Sequence, residues 1–180
     1  MSRRIGFRHV DPRFGFLWTT PDQPAARWHG QGEGPANYFA DTPTGAWAEF
    51  LRHEGIVDPA DLAGVRRSLW AVELPAGRYA APGIPAEQAE GGLSTYGACQ
   101  AEARRLRAAG ATRMETRSAA LVRGGARGCL SQGAGMQPSP APRDGWVCVL
   151  FGQLDPVGWL AVDGGAPPAA VLELVRPLAL

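Results

Sequence analysis

The stretch RWHGQGEGPANYFADTPTGAWAEFLRH, Arg27 to His53, holds a turn, a strand and a helix whose limits can be read residue by residue. His29 to Gly34 is too rich in glycine for regular structure and reads as a loop. It resembles a GxGxxG box, but it precedes a strand instead of joining a strand to a helix, so the dinucleotide fingerprint is not met. Ala36 to Ala40 has the short aromatic character of a strand. Asp41-Thr42-Pro43 then starts a helix: Thr42 can accept from an orphan N–H, and proline suits the first helical position. Ala46, Trp47, Phe50 and Leu51 fall on one face of that helix, and Gly55 is placed to end it.

Working outward, Phe7–Val10 and Phe16–Thr19 read as short strands, and Ser68–Leu74 alternates as a strand should. A second helix is expected from about Thr95 to Ala109, with Tyr96, Cys99, Ala103 and Leu106 on one stripe and Gly110 capping it. Its other face carries Arg104, Arg105 and Arg107, a solvated surface or a seat for an acidic segment of a partner. Ala119–Val122 and Arg127–Leu130 are β-like. Ser131–Gly145 holds three Pro and three Gly without periodicity and reads as a mobile loop. Trp146–Phe151 and Gly158–Val162 read as buried strands, and the tail from Ala169 fits a short helix or a last strand. The expectation is one α+β domain over residues 1–180, a β-rich core with a few short helices.

Composition removes several function classes. The 180 residues carry 18 basic side chains, all arginine, against 17 acidic ones, for a net charge of +1. That balance gives no bulk attraction to nucleic acid or an anionic membrane. Without lysine, neither a phosphate-loop lysine nor Schiff-base chemistry is possible. Cys99, Cys129 and Cys148 are widely spaced with no CxxC, which points to a reduced, cytoplasmic setting rather than a disulfide framework. No signal peptide or membrane span is visible. His9, His29 and His53 lie far apart, so no metal site is expected, and no GxSxG elbow is present.

The order Arg27-Trp28, glycine-rich turn, Tyr38, then Glu49 inside the next helix resembles the core signature of the RES domain family. Phe7-Arg8 resembles the family's N-terminal aromatic-Arg strand, Tyr96-Gly-Ala-Cys-Gln100 the start of its second helix, and Arg117-Ser118-Ala119 its Pro-Ser-Ala segment. The likeness runs from about Phe7 to Phe151. Three features depart from the pattern: His29 stands for the usual Asn, Ala25-Ala26 for Gly-Gly, and Arg117 for Pro. The resemblance implies a fold similar to ADP-ribosyltransferases and an NAD-degrading toxin of a bacterial toxin–antitoxin pair. It would cleave the nicotinamide–ribose bond with water or phosphate as acceptor. NAD is then a substrate, no cofactor is needed, and the expected protein partner is an antitoxin. The other readings are a protein ADP-ribosyltransferase and an inactive nucleotide- or partner-binding module.

The chemistry of the residues agrees with these roles. Arg8 and Arg27 can hold the phosphates of NAD through planar guanidinium forks. Glu49 can stabilise the positive charge that grows on the ribose as nicotinamide leaves. Tyr38 can stack on a ring of the substrate, and its hydroxyl can fix the carboxylate. The catalytic set is thus Glu49, Arg27 and Ser118, with Arg8, Arg27 and Tyr38 binding NAD. Each also has a plain structural reading: Arg27 as a surface-paired arginine, Glu49 as an i,i+4 partner of His53, Tyr38 as core, and Ser118 as a hydrogen-bonded structural serine with Ser94 as rival. Trp28, Trp47 and Trp70 read as core.

Overall fold

Arg67–Leu74 (β3) buries every second residue, Ser68, Trp70, Val72 and Leu74, which is the pattern of a strand with one closed face. In the computed structural model, which describes residues 4–15, 18–20, 22–126, 129–132, 135–138, 141–154, 156 and 158–179, β3 belongs to a six-stranded antiparallel sheet. With β1 (Arg4–Val10), β2 (Ala36–Ala40), β4 (Arg113–Arg117), β7 (Trp146–Phe151) and β8 (Trp159–Gly165), the strand order is β4-β7-β2-β1-β3-β8. β5 (Cys129–Gln132) and β6 (Gly135–Pro138) form a separate antiparallel pair.

The sheet is almost divided in two. β1 pairs with β3 along its whole length, from Arg4 opposite Leu74 to Val10 opposite Ser68. It meets β2 only at Phe7 opposite Ala40. At that contact the backbones run so close that a Cβ on Gly6 would lie 2.6 Å from the Phe39 Cβ, so only glycine fits. Away from it the two strands part.

The helices cover one face. Helix α1 (Pro43–Glu54) begins as its sequence dictates: the Thr42 hydroxyl accepts from the Gly45 N–H at 2.9 Å, and Pro43 opens the first turn. Gly55 ends it at φ 66°, the left-handed conformation a helix C-terminus favours. Trp47 and Leu51 pack with Leu62, Val65 and Val171. After the short α2 (Ala86–Ala89), helix α3 (Tyr96–Ala108) sets Cys99, Ala103 and Leu106 against Trp28, Met114, Val147 and Val149. A further cluster joins Val10, Phe39, Trp70, Val72, Leu74, Tyr79, Cys148 and Leu150. Trp28, Trp47 and Trp70 are all buried. No helix among the described residues is long and apolar enough to cross a membrane.

Several expectations need correction. The Phe16–Thr19 strand lies partly outside the described residues, and Trp18 and Thr19 are not in a strand. Ala119–Val122 is no strand: Leu121 makes one isolated bridge to Val175. The strand lies just before it, in β4, where Arg113, Glu115 and Arg117 on one face hide the apolar signal of buried Met114 and Thr116 on the other. Of Arg127–Leu130, the first two residues lie outside the described set and the rest enters β5. Ser131–Gly145 contains the end of β5, all of β6 and a bridge between Gly125 and Arg143, so it is more regular than its composition suggests. The tail forms a 3-10 helix, Ala169–Leu174.

Because α1 carries Glu49, its start matters to the site. Thr42→Ala should lower stability by about 1 kcal/mol, the usual cost of losing a side-chain cap, while Thr42→Ser should keep most of it. Urea denaturation midpoints of the two variants check this; equal midpoints would show that the cap contributes nothing.

Candidate functional site

Where β1 and β2 part, a cavity of about 280 Å³ opens between the sheet and α1. Phe7, Arg8 and His9 of β1, Tyr38, Phe39 and Ala40 of β2, and Glu49 and Arg52 of α1 line it, with Arg27 and Tyr96. Arg8, Arg27, Tyr38 and Glu49, spread over 42 residues of sequence, therefore border one space, Arg8 from the strand position opposite Trp70, with its side chain turned to Asn37.

Glu49 is the carboxylate of this space. Its Oε1 accepts from the Ser118 hydroxyl at 2.7 Å. That hydroxyl oxygen in turn accepts from the N–H groups of Ala120 at 3.1 Å and Leu121 at 3.2 Å. Ser118 is thus locked by the turn after β4 with its single proton committed to Glu49. Ser94 is exposed and does not reach it. Ser118 does not line the cavity itself and acts by positioning the carboxylate. Although Glu49 keeps some accessible surface within the cavity, the protein packed around it strips away water and pushes its pKa up. Ser118, Arg52 and Arg27 pull in the other direction. His53 is exposed and is no ion-pair partner of Glu49.

Arg27 is buried, not a surface residue. Its Nη2 donates to the Gly91 carbonyl at 2.7 Å, its Nη1 to Thr95 Oγ1 at 3.2 Å, and its guanidinium lies 4.7 Å from the centre of the Tyr96 ring. Arg8 donates from Nη1 to Asn37 Oδ1 at 3.0 Å, and burial depresses its pKa.

The Tyr38 hydroxyl does not hold Glu49. It accepts from the Trp28 N–H at 3.0 Å and lies 2.8 Å from His29 Nδ1. His29 Nε2 is 2.9 Å from the Pro24 carbonyl, which can only accept. The proton therefore sits on Nε2, and Nδ1 accepts from Tyr38. Burial depresses the His29 pKa, which keeps that neutral tautomer. Tyr38 is left with its ring facing the cavity and its hydroxyl tied to the Arg27–His29 turn.

A glycine-rich loop can offer backbone N–H groups to an anion. The Gly30 N–H is instead taken by the loop's own Glu33 at 2.8 Å. Glu33 is held by Arg104 at 2.8 Å, and Arg107 donates to the Glu33 carbonyl at 2.8 Å. Arg105 pairs with Glu102. The arginine run of α3 thus anchors this loop and its own helix; it is not a bare solvated face.

Two groups escaped sequence reasoning. Arg52, three residues beyond Glu49, shares its helix face; it is 7% exposed, and its Nη2 donates to the same Gly91 carbonyl at 2.9 Å. His9 stacks on Trp47 with ring centres 3.4 Å apart, and burial drives its pKa down to about 3. Among the described residues no three His, Cys, Asp or Glu side chains cluster as metal ligands would.

A model of the RES domain matches residues 3–146, and those residues contain every lining group named above. The chain belongs to the RES domain family. No curated protein matches it. Among solved structures, this RES domain is similar in fold to a chain of the M. tuberculosis MbcT–MbcA toxin–antitoxin complex, with a TM-score of 0.55 at 14% identity, over 96% of this chain and 88% of that one.

A carboxylate whose folded pKa is raised favours the folded state when protonated and loses that contribution as pH rises from its unfolded value, about 4.3, through its folded one. Glu49→Gln should therefore gain melting temperature relative to the wild type as pH rises from about 4 toward neutrality. Melting curves across that range check it; a constant difference would mean that Glu49 is not desolvated.

Proposed function

We propose that this RES domain cleaves the nicotinamide–ribose bond of NAD, with water or phosphate as acceptor, and acts as the toxin of a toxin–antitoxin pair. The observation that carries the reading is a desolvated carboxylate, fixed by Ser118, in one cavity with an aromatic ring and buried guanidinium groups. Family membership supports it, and the fold shared with a chain of a toxin–antitoxin complex supports an antitoxin as partner. The volume, about 280 Å³, lies just below the usual range for small-molecule sites, roughly 300–1,000 Å³, and suits the nicotinamide riboside half, with the rest of the dinucleotide reaching outward.

In this mechanism the bond between ribose C1′ and the nicotinamide nitrogen breaks, and nicotinamide leaves as a neutral molecule with the bonding electrons. Positive charge spreads over C1′ and the ring oxygen, opposite the ionised Glu49. An oxygen of water or phosphate then bonds to C1′, and the proton of that acceptor passes to solvent. Ser118 holds the carboxylate through Oε1, so the charge is in place before the bond breaks and little reorganisation is needed. The Tyr38 ring supplies a face for the nicotinamide. The buried arginines take the phosphate oxygens and, through their charge, oppose protonation of Glu49.

The test is nicotinamide release from NAD by the purified protein, with and without phosphate. Glu49→Gln keeps shape and hydrogen bonding but removes the charge. Loss of one such electrostatic group costs about 2.7–4 kcal/mol, so turnover should fall on the order of a hundredfold or more with KM little changed. Ser118→Ala should lower turnover less, since the carboxylate remains but loses its anchor. Release at the parental rate by Glu49→Gln would overturn the mechanism. A labelled macromolecule in place of free ADP-ribose or its phosphate would mark protein ADP-ribosylation instead.

A further inference from the structure

Arg52 is a buried cation for which the fold alone gives an incomplete account. It lies one turn beyond Glu49 on α1 and lines the same cavity. Its Nη2 is engaged by the Gly91 carbonyl, but its Nη1 is buried and has no hydrogen-bond partner among the described residues. Leaving a charged donor desolvated and unsatisfied is costly, so such a group calls for a reason.

A second feature makes the cost larger. Arg27 Nη2 donates to the same carbonyl oxygen, so a single acceptor draws two guanidinium groups together. The carboxylates nearby do not balance both of them. Glu90 is taken by Arg123 at 3.1 Å and Arg176 at 2.9 Å, which leaves the single charge of Glu49 to face two guanidinium groups. Burial depresses the Arg52 pKa, and the neighbouring Arg27 lowers it further against the pull of Glu49. The result is a buried excess of positive charge on one wall of the cavity, presented by two planar forks suited to oxyanions.

We infer that Arg27 and Arg52 together bind a phosphate-type oxyanion at the Gly91 wall of the cavity, with Arg52 Nη1 as one of its donors. Arg52 is then a binding residue of the site, beside Arg27. The oxyanion chemistry stands on this geometry alone; its identification as a part of the reaction rests on the NAD-cleaving reading. Within that reading it has two sources, the diphosphate of the dinucleotide or a free phosphate serving as acceptor.

The experiment titrates inorganic pyrophosphate and inorganic phosphate into the purified full chain by calorimetry, for the wild type, Arg52→Gln and Arg52→Lys, with a melting curve for each. Arg52→Gln should bind its preferred anion roughly ten- to a hundredfold more weakly, the loss expected for a charge-assisted hydrogen bond. Arg52→Lys, keeping charge but not the fork, should fall between. A folded Arg52→Gln that binds both anions as the wild type does would overturn the inference, as would a wild type that binds neither. If Arg52→Gln does not fold, Arg52→Lys decides: weaker binding at an unchanged melting temperature supports the site, and unchanged binding overturns it.

Kinetics then separate the sources. A diphosphate at this wall raises KM for NAD in the variant without changing the dependence on phosphate. An acceptor phosphate raises the half-saturating phosphate concentration without changing KM for NAD. Either result supports the site. A wild type that binds pyrophosphate through Arg52 but releases no nicotinamide would keep the oxyanion site and defeat the NAD-cleaving reading.

Discussion

The contact between β1 and β2 governs this structure. Gly6 lets the two backbones meet at Phe39, Phe7 pairs with Ala40, and beyond that point the strands separate. One half-sheet, β4-β7-β2, is held by full pairing of β2 with β7, and the other, β1-β3-β8, by full pairing of β1 with β3. The cavity is lined by residues of both strands next to that contact, Phe7, Arg8 and His9 of β1 and Tyr38, Phe39 and Ala40 of β2. Helix α1 lies against both strands, so the side chains it turns inward, Glu49 and Arg52, meet those of the divided sheet. The cavity thus lies between α1 and the two strands, and the cap at Thr42 fixes where along it the carboxylate stands.

Much of this was legible in the sequence. β2, β7 and the limits of α1 follow directly from aromatic runs, Thr42-Pro43 and Gly55, because local chemistry sets those boundaries. The presence of Arg8, Arg27, Tyr38 and Glu49 around one space was also legible, through a spacing that resembles the RES signature. What was not legible depends on contacts distant in sequence. β4 could not be recognised because its arginines and glutamate are stabilised from outside, in part by the pairing of Arg4 with Glu115. The Tyr38 hydroxyl seemed free for the carboxylate, yet the fold of the turn brings the Trp28 N–H and His29 to it. Arg52 looked like an ordinary helix-end arginine, because nothing local places Gly91 beside it.

His29 shows how a departure from a family pattern can be absorbed. Asparagine is usual there, and a histidine brings a second ring nitrogen that must be satisfied if buried. The Pro24 carbonyl accepts from that nitrogen, Tyr38 donates to the other, and burial keeps the ring neutral. The substitution therefore adds a brace between the 24–29 turn and β2 without adding charge to the cavity.

The electrostatics of the cavity follow from how its charges are held. Several carboxylates elsewhere in the fold are paired directly with arginine, as Glu33, Glu90 and Glu102 are, while Asp163 is held, like Glu49, by a serine hydroxyl, that of Ser68. What sets Glu49 apart is its surroundings: a neutral hydroxyl holds it, while two buried arginines beside it are turned to a backbone carbonyl. A direct ion pair would spend both charges on each other. A carboxylate anchored by a serine keeps its field available to a developing cation, and guanidinium groups anchored by a carbonyl keep theirs available to an anion. A substrate that carries phosphate oxygens beside a ribose that becomes positive during reaction would satisfy both at once.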